Sequence, residues 1–255
     1  MLLEISERFI FILEILENYA KPGSDERVII RKLIDYLEKG KLLEEDIEPI
    51  KMKIVEISKN LGSYELRKEI NYAVYGDKKR LNQSQKQKIK KLIEVLELLK
   101  NYIDKKPFKD DLDRDVLNLI TLKILRLDRG IVLDFYSEVR SIGNLALKVG
   151  SYELKSEIEL LLLGRKKRKI SEEFLEKKRL LLESLEMLKE YIENKRNKSS
   201  FDYESLFLIN LKINRVEENK IKKFYDEFDS LLSIARKVGN HKIREKLIIL
   251  RESLR

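Results

Sequence analysis

The feature that most constrains this chain is a five-residue string that returns. Gly62-Ser63-Tyr64-Glu65-Leu66 recurs letter for letter as Gly150-Ser151-Tyr152-Glu153-Leu154, 88 positions on. A diverged copy, Gly239-Asn240-His241-Lys242-Ile243, follows after 89 more. Each copy is entered through a helix-like run and left through an amphipathic one. Self-similarity at this spacing points to one supersecondary unit used three times. Two further returns, at a shift of 89, fix the register: Leu122-Lys123-Ile124 with Leu211-Lys212-Ile213, and Phe135-Tyr136 with Phe224-Tyr225.

The composition says what the unit is made of. Three Pro, nine Gly and an abundance of Leu, Ile, Glu and Lys describe an all-helical protein. Apolar residues at helical spacing, punctuated by Pro22-Gly23, Gly40, Gly62 and Gly76, predict four helices per unit. Ser24 or Asp25 can cap the second helix and Ser63 the fourth, and Pro49 falls in the first turns of a helix, where proline is tolerated. The expected fold is therefore all-α, about twelve helices in three tandem four-helix repeats of about 88 residues. These occupy 1–76, 77–164 and 165–255 and form a helical array or a bundle. No stretch shows the strict alternation of a strand.

Charge and residue usage remove several functional classes. There are no cysteines, which excludes disulfides, thiolate metal sites and cysteine nucleophiles. The single histidine, His241, replaces a tyrosine of the other two copies, so a two-histidine metal site is impossible. No glycine-rich phosphate loop occurs. Carboxylates one helical turn apart, Glu65/Glu69 and Glu153/Glu157, could bind a divalent ion in principle. The third copy carries Lys242 and Lys246 there, so these positions read as solvated surface. A non-catalytic protein without cofactor, metal or small-molecule substrate is expected.

The apolar run Phe9–Leu13 is bracketed by Glu4, Glu7, Glu14 and Glu17, unlike a signal peptide. No run of eighteen apolar residues predicts a membrane span. A cytoplasmic protein is expected, and the charged share of 39% with no Cys or Trp suggests heat adaptation.

The net charge is +9, from 54 basic against 45 acidic residues. Two features could turn it into binding. The first is a basic loop that recurs in register, with Lys78, Lys79 and Arg80 after the fourth helix and Arg165, Lys166, Lys167 and Arg168 after the eighth. Such clusters neutralise phosphates. The second is a ring with a cation three residues on: Tyr64 with Arg67, Tyr152 with Lys155, His241 with Arg244. Spacing i, i+3 puts both on one helix face, as stacking beside a phosphate contact requires. The expected function is binding of nucleic acid, RNA or single-stranded DNA, along a basic face. The alternative is a protein–protein scaffold or oligomeric subunit, with Phe135-Tyr136 and Phe224-Tyr225 as anchors if exposed and as core if not.

Overall fold

The structure is a computed structural model that describes residues 2–40, 42–166, 170–221 and 223–252. Among the described residues it contains twelve α-helices and no strand. In chain order these are α1 (Leu2–Glu17), α2 (Asp25–Glu38), α3 (Ile47–Asn60), α4 (Tyr64–Tyr75), α5 (Gln83–Asp104) and α6 (Asp111–Asp128). They continue as α7 (Phe135–Val149), α8 (Tyr152–Leu163), α9 (Glu172–Glu193), α10 (Ser200–Glu217), α11 (Phe224–Lys237) and α12 (His241–Glu252). A short 3-10 turn, Glu44–Asp46, leads into α3, which places Pro49 in that helix's first turn.

The helix starts follow local hydrogen-bond chemistry. Ser63 Oγ accepts from the Leu66 amide at 3.2 Å, and Ser151 Oγ accepts from the Leu154 amide at 3.3 Å. In the third copy Asn240 Oδ1 accepts from the Ile243 amide at 2.9 Å. Each cap satisfies one of the otherwise orphaned first-turn donors and is worth about 1 kcal/mol. Gly62, at φ +73°, takes the left-handed conformation that lets the chain reverse before Ser63.

Where helices begin earlier or later than the apolar pattern suggests, capping is the reason. The pattern predicts starts near Asp113 and Tyr203. The helices start at Asp111 and Ser200, because Asp110 with Asp113 and Ser199 with Asp202 form reciprocal capping boxes. Conversely α11 starts at Phe224 rather than Lys220, because Asn219 (φ 57°) makes a left-handed turn just before it. Gly130 (φ 74°) holds the same place after α6.

Contacts gather the chain into two compact units that divide it differently from the three sequence segments. The first comprises Met1–Ile93 with Asp110–Phe135, the second Glu94–Lys109 with Tyr136–Arg255. In the first unit α1 packs on α2 and α3, α3 on α4, and α4 on α6. Phe9, Ile12, Leu13 and Leu16 of α1, Ile54 of α3, Leu66 and Ile70 of α4 and Ile120 of α6 are fully or almost fully buried. In the second unit α10 packs on α8 and α9, α9 on α11 and α12, and α11 on α12. Its core holds Leu154, Ile158, Leu185, Leu188, Leu211, Phe228 and Leu247, and Tyr102 stacks on Phe207 with ring centroids 5.0 Å apart. No helix among the described residues is long and apolar enough to cross a membrane.

Candidate nucleic-acid interface

The basic loops leave α4 and α8 in the same way. Gly76 donates its amide to Tyr72 O at 2.9 Å, Gly164 donates to Leu160 O at 2.9 Å, and the chain then departs in an extended conformation. Lys78, Lys79 and Arg80 are exposed, as are Arg165 and Lys166. Lys167 and Arg168 lie outside the described residues. Lys78 Nζ is 3.3 Å from Glu4 Oε1, an exposed pair that draws the Glu4 carboxyl below its ordinary range through the hydrogen bond and charge of Lys78. Among the described residues Lys79, Arg80, Arg165 and Lys166 make no ion pair. Many other surface cations do, including Lys51 with Glu48, Lys53 with Glu56, Arg114 with Asp111 and Lys237 with Glu153.

The rings stand clear of the protein. Tyr64 is 74% exposed and Tyr152 71%, and His241 is exposed at the start of α12. Each tyrosine opens a twelve-residue helix whose far end leads into the basic loop. Ring and loop are thus about 18 Å apart along the helix axis, at a rise of about 1.5 Å per residue. Arg67 is exposed beside Tyr64, and Arg244 is half-buried. Lys155 departs from the expected pairing: its Nζ donates to Asn144 Oδ1 at 2.9 Å, which ties it to α7 instead of leaving it beside the Tyr152 ring. The aromatic pairs divide: Tyr136 is 72% exposed, while Phe135, Phe224 and Tyr225 are half-buried. Lys88 lies over the Phe135 ring, Phe174 meets Phe224 edge-on, and Arg251 lies over Tyr225.

The carboxylates read from the sequence as surface are the clearest correction. Glu65 and Glu153 are exposed, but Glu69 and Glu157, one turn on, are 6% and 4% exposed. Glu69 of α4 binds Lys123, and it accepts from Arg126 Nε at 3.1 Å. Glu157 of α8 binds Arg215 and lies 3.1 Å from Lys212 Nζ. Glu227 of α11 completes the second cluster, at 2.6 Å from Arg215 Nη2 and 3.2 Å from Lys212 Nζ. Arg126 Nη1 also donates to Ile131 O at 2.8 Å, and Arg215 Nη1 donates to Lys220 O at 2.9 Å. The physical reason is that buried charge survives only when paired and hydrogen-bonded, and here the partners come from another helix. In the third copy Lys246, at the corresponding place, is exposed.

Electrostatics inside the second cluster favour the charged forms of Arg215 and Glu227. Burial alone would lower the Arg215 guanidinium pKa, yet the charge of Glu157 and bonds from Glu227 and Glu157 hold it above its ordinary value. Burial would raise the Glu227 carboxyl, but Lys212 and Arg215 hold it below the usual carboxylate range. An open cleft of about 320 Å3 lies over the cluster, with Tyr152, Ser156 and Ser230 on its walls. The four charges at its floor balance one another, which makes the network a clamp between α8, α10 and α11 before it is anything else. Among the described residues no group of three or more His, Asp or Glu is placed to hold a metal.

Sequence reasoning missed Lys123, Arg126, Lys212, Arg215 and Glu227. For the four cations the signal was present: Lys123 with Arg126 and Lys212 with Arg215, three residues apart among apolar neighbours and recurring 89 positions on.

The chain resembles a protein of Methanocaldococcus jannaschii, described as "Uncharacterized protein MJ0602", with 60% identity over 253 residues, 99% of this chain and 97% of that protein. No protein-family model matches the chain, and no solved structure matches it.

Proposed function

We propose that this chain, which belongs to the family of that Methanocaldococcus jannaschii protein, is a non-catalytic helical protein that binds RNA or single-stranded DNA through its basic loops. The supporting observation is where these cations sit: Lys79, Arg80, Arg165 and Lys166 are exposed and unpaired side by side on two loops that leave matching helices, whereas surface cations such as Lys51, Lys53, Arg114, Arg179 and Lys237 have an acidic neighbour. An unpaired surface cation costs no broken ion pair when a phosphate arrives, and it releases counterions from the strand. Exposed Tyr64 and Tyr152 supply faces on which a base can stack, worth about 1–3 kcal/mol per base in single-strand binders. Phosphate contacts of this kind position a strand without reading its sequence, so low base specificity follows.

The test is fluorescence anisotropy of the purified protein with labelled single-stranded RNA, single-stranded DNA and duplex DNA at about 50 and about 200 mM salt. Micromolar or tighter binding at low salt, falling steeply at high salt, is expected for the single strands. Absence of binding at low salt would refute the reading. The scaffold reading has its own support in Tyr136 (72%), Phe201 (64%) and Ile249 (67%), large side chains left in solvent. It predicts a protein partner and no salt-sensitive strand binding.

A further inference from the structure

Beside the first basic loop lies a surplus of positive charge that the sequence pattern does not single out. The loop is pinned to the turn after α6, because the Lys79 amide donates to Gly130 O at 3.1 Å. The same turn presents Arg129, whose Nη1 donates to Glu4 O on α1 at 3.4 Å. Lys78 Nζ reaches the Glu4 side chain at 3.3 Å. Arg8 lies one turn beyond Glu4 on α1, and its Nε is shut off from solvent with no hydrogen-bond partner. Lys78 thus pairs with the Glu4 carboxylate, Arg129 is held on the Glu4 backbone carbonyl, and Arg8 follows one turn along the same helix. Burial lowers the Arg8 guanidinium pKa, the charge of Arg129 lowers it further, and Glu4 only partly opposes them.

The corresponding turn of the second unit shows what a balanced version looks like. Glu218 stands where the first unit has Arg129, and it pairs with Lys220 at 3.0 Å. Lys178 closes that turn by donating to Asn219 Oδ1 at 2.7 Å and to Glu217 O at 3.0 Å. The first unit has the same left-handed turn at Gly130 but an arginine before it, and a guanidinium Nε left without an acceptor. An anionic oxygen group would give the Lys78 ammonium and the Arg129 guanidinium a second acceptor beside Glu4, with the charge of Arg8 one turn along α1 adding to the attraction.

We propose that Arg8, Lys78 and Arg129 form a phosphate-recognition site, one that seats a backbone phosphate of the bound strand next to Lys79 and Arg80. This rests on the nucleic-acid reading for the source of the phosphate. The chemistry itself, a tetrahedral oxyanion held by two guanidinium groups and an ammonium, is common to a strand and to free phosphate. Arginine suits the task because its planar fork meets two oxygens at once.

Two arms separate the sources. In the first, inorganic phosphate is titrated against ¹⁵N-labelled protein while the arginine Nε–H resonances are followed, with Arg8 assigned by its loss in Arg8→Lys. A saturable shift of the Arg8 resonance, absent with chloride at equal ionic strength and lost in Arg129→Glu, is expected. A response that merely tracks ionic strength would overturn the site, whether or not the protein binds RNA. In the second arm, Arg129→Glu and Arg8→Gln are each expected to weaken single-stranded RNA binding by about tenfold at low salt. Each should reduce the slope of log affinity on log salt by about 0.7. Full-strength RNA binding in both variants would overturn the strand assignment while leaving the outer loop cations as the binding face. If wild-type protein binds no RNA but shows the saturable phosphate response, the site stands and the nucleic-acid reading falls. Should Arg8→Gln fail to fold by circular dichroism, Arg129→Glu decides, since a glutamate already occupies the matching turn of the second unit.

Discussion

Cations of this protein live in two settings that differ in almost every respect. Lys123, Arg126, Lys212 and Arg215 are at most 5% exposed, and each binds a carboxylate on another helix. Lys79, Arg80, Arg165 and Lys166 stand in solvent on loops and pair with nothing among the described residues. Within the second cluster Lys212 and Arg215 are balanced by Glu157 and Glu227, so that pair adds little to the field outside. The loop cations are where part of the +9 charge becomes available to a partner. Net charge alone therefore says little about binding, because a lysine inside a clamp and a lysine on a loop count equally in the sum.

The contrast can be broken most forcefully from the inside. Glu157→Gln leaves Lys212 and Arg215 buried with Glu227 as the remaining acid of the cluster, and removal of one member of a buried ion pair costs about 3–5 kcal/mol. Urea unfolding followed by circular dichroism should show a loss of that size. A change below about 1 kcal/mol would mean that the cluster is solvated and the distinction false.

Acid should act on the same cluster in a smaller and graded way. Glu227 has a folded-state pKa below its unfolded value near 4.3–4.5, so the stability it contributes is fully present above that value. It is lost as pH falls from there through the depressed folded pKa. Unfolding midpoints measured between about pH 6 and 3 should fall less in Glu227→Gln than in the wild type once each is compared with its own value at pH 6. Identical slopes would remove Glu227 from the account. At the opposite end of the scale, the Tyr19 hydroxyl is pushed up by burial and its bond to Asp115, so its contribution persists below about pH 10 and declines above it.

Surface charge gives the weakest responses in stability. Lys237 pairs with Glu153 at 2.9 Å with both side chains about half exposed, and Lys237→Ala should cost about 0–1 kcal/mol. Replacing Lys79, Arg80, Arg165 and Lys166 together with alanine should change the unfolding free energy least of all, by less than about 0.5 kcal/mol per site. A large destabilisation there would show that the loops hold the fold together.

What the sequence reveals and what it conceals follow from the range of the interactions. The Ser63 and Ser151 caps, the end of α4 at Gly76 and the exposed loops beyond are local events, decided within four residues, and the sequence shows them directly. The all-α class follows from the same short-range signals summed along the chain. Glu69 and Glu157 were concealed because their partners lie more than 50 residues away, Lys123 and Arg126 for one, Lys212 and Arg215 for the other. A helix read by itself shows that a glutamate recurs; it does not show which way the glutamate faces. The charge reversal at Lys246 then pointed to the wrong side. The recurring Leu-Lys-Ile strings, with lysine inside an apolar run, were the better clue. Arg129 was concealed because the matching place of the next unit carries Glu218, so no cation recurs there.

The division between structural and available cations is tested most directly by the salt dependence of single-stranded RNA binding in the fourfold loop variant, set beside the wild type. Loss of four phosphate contacts predicts a slope of log affinity on log salt shallower by about 2.8, with weaker binding at low salt. An unchanged slope and affinity in a folded variant would contradict the assignment of these loops as the binding face.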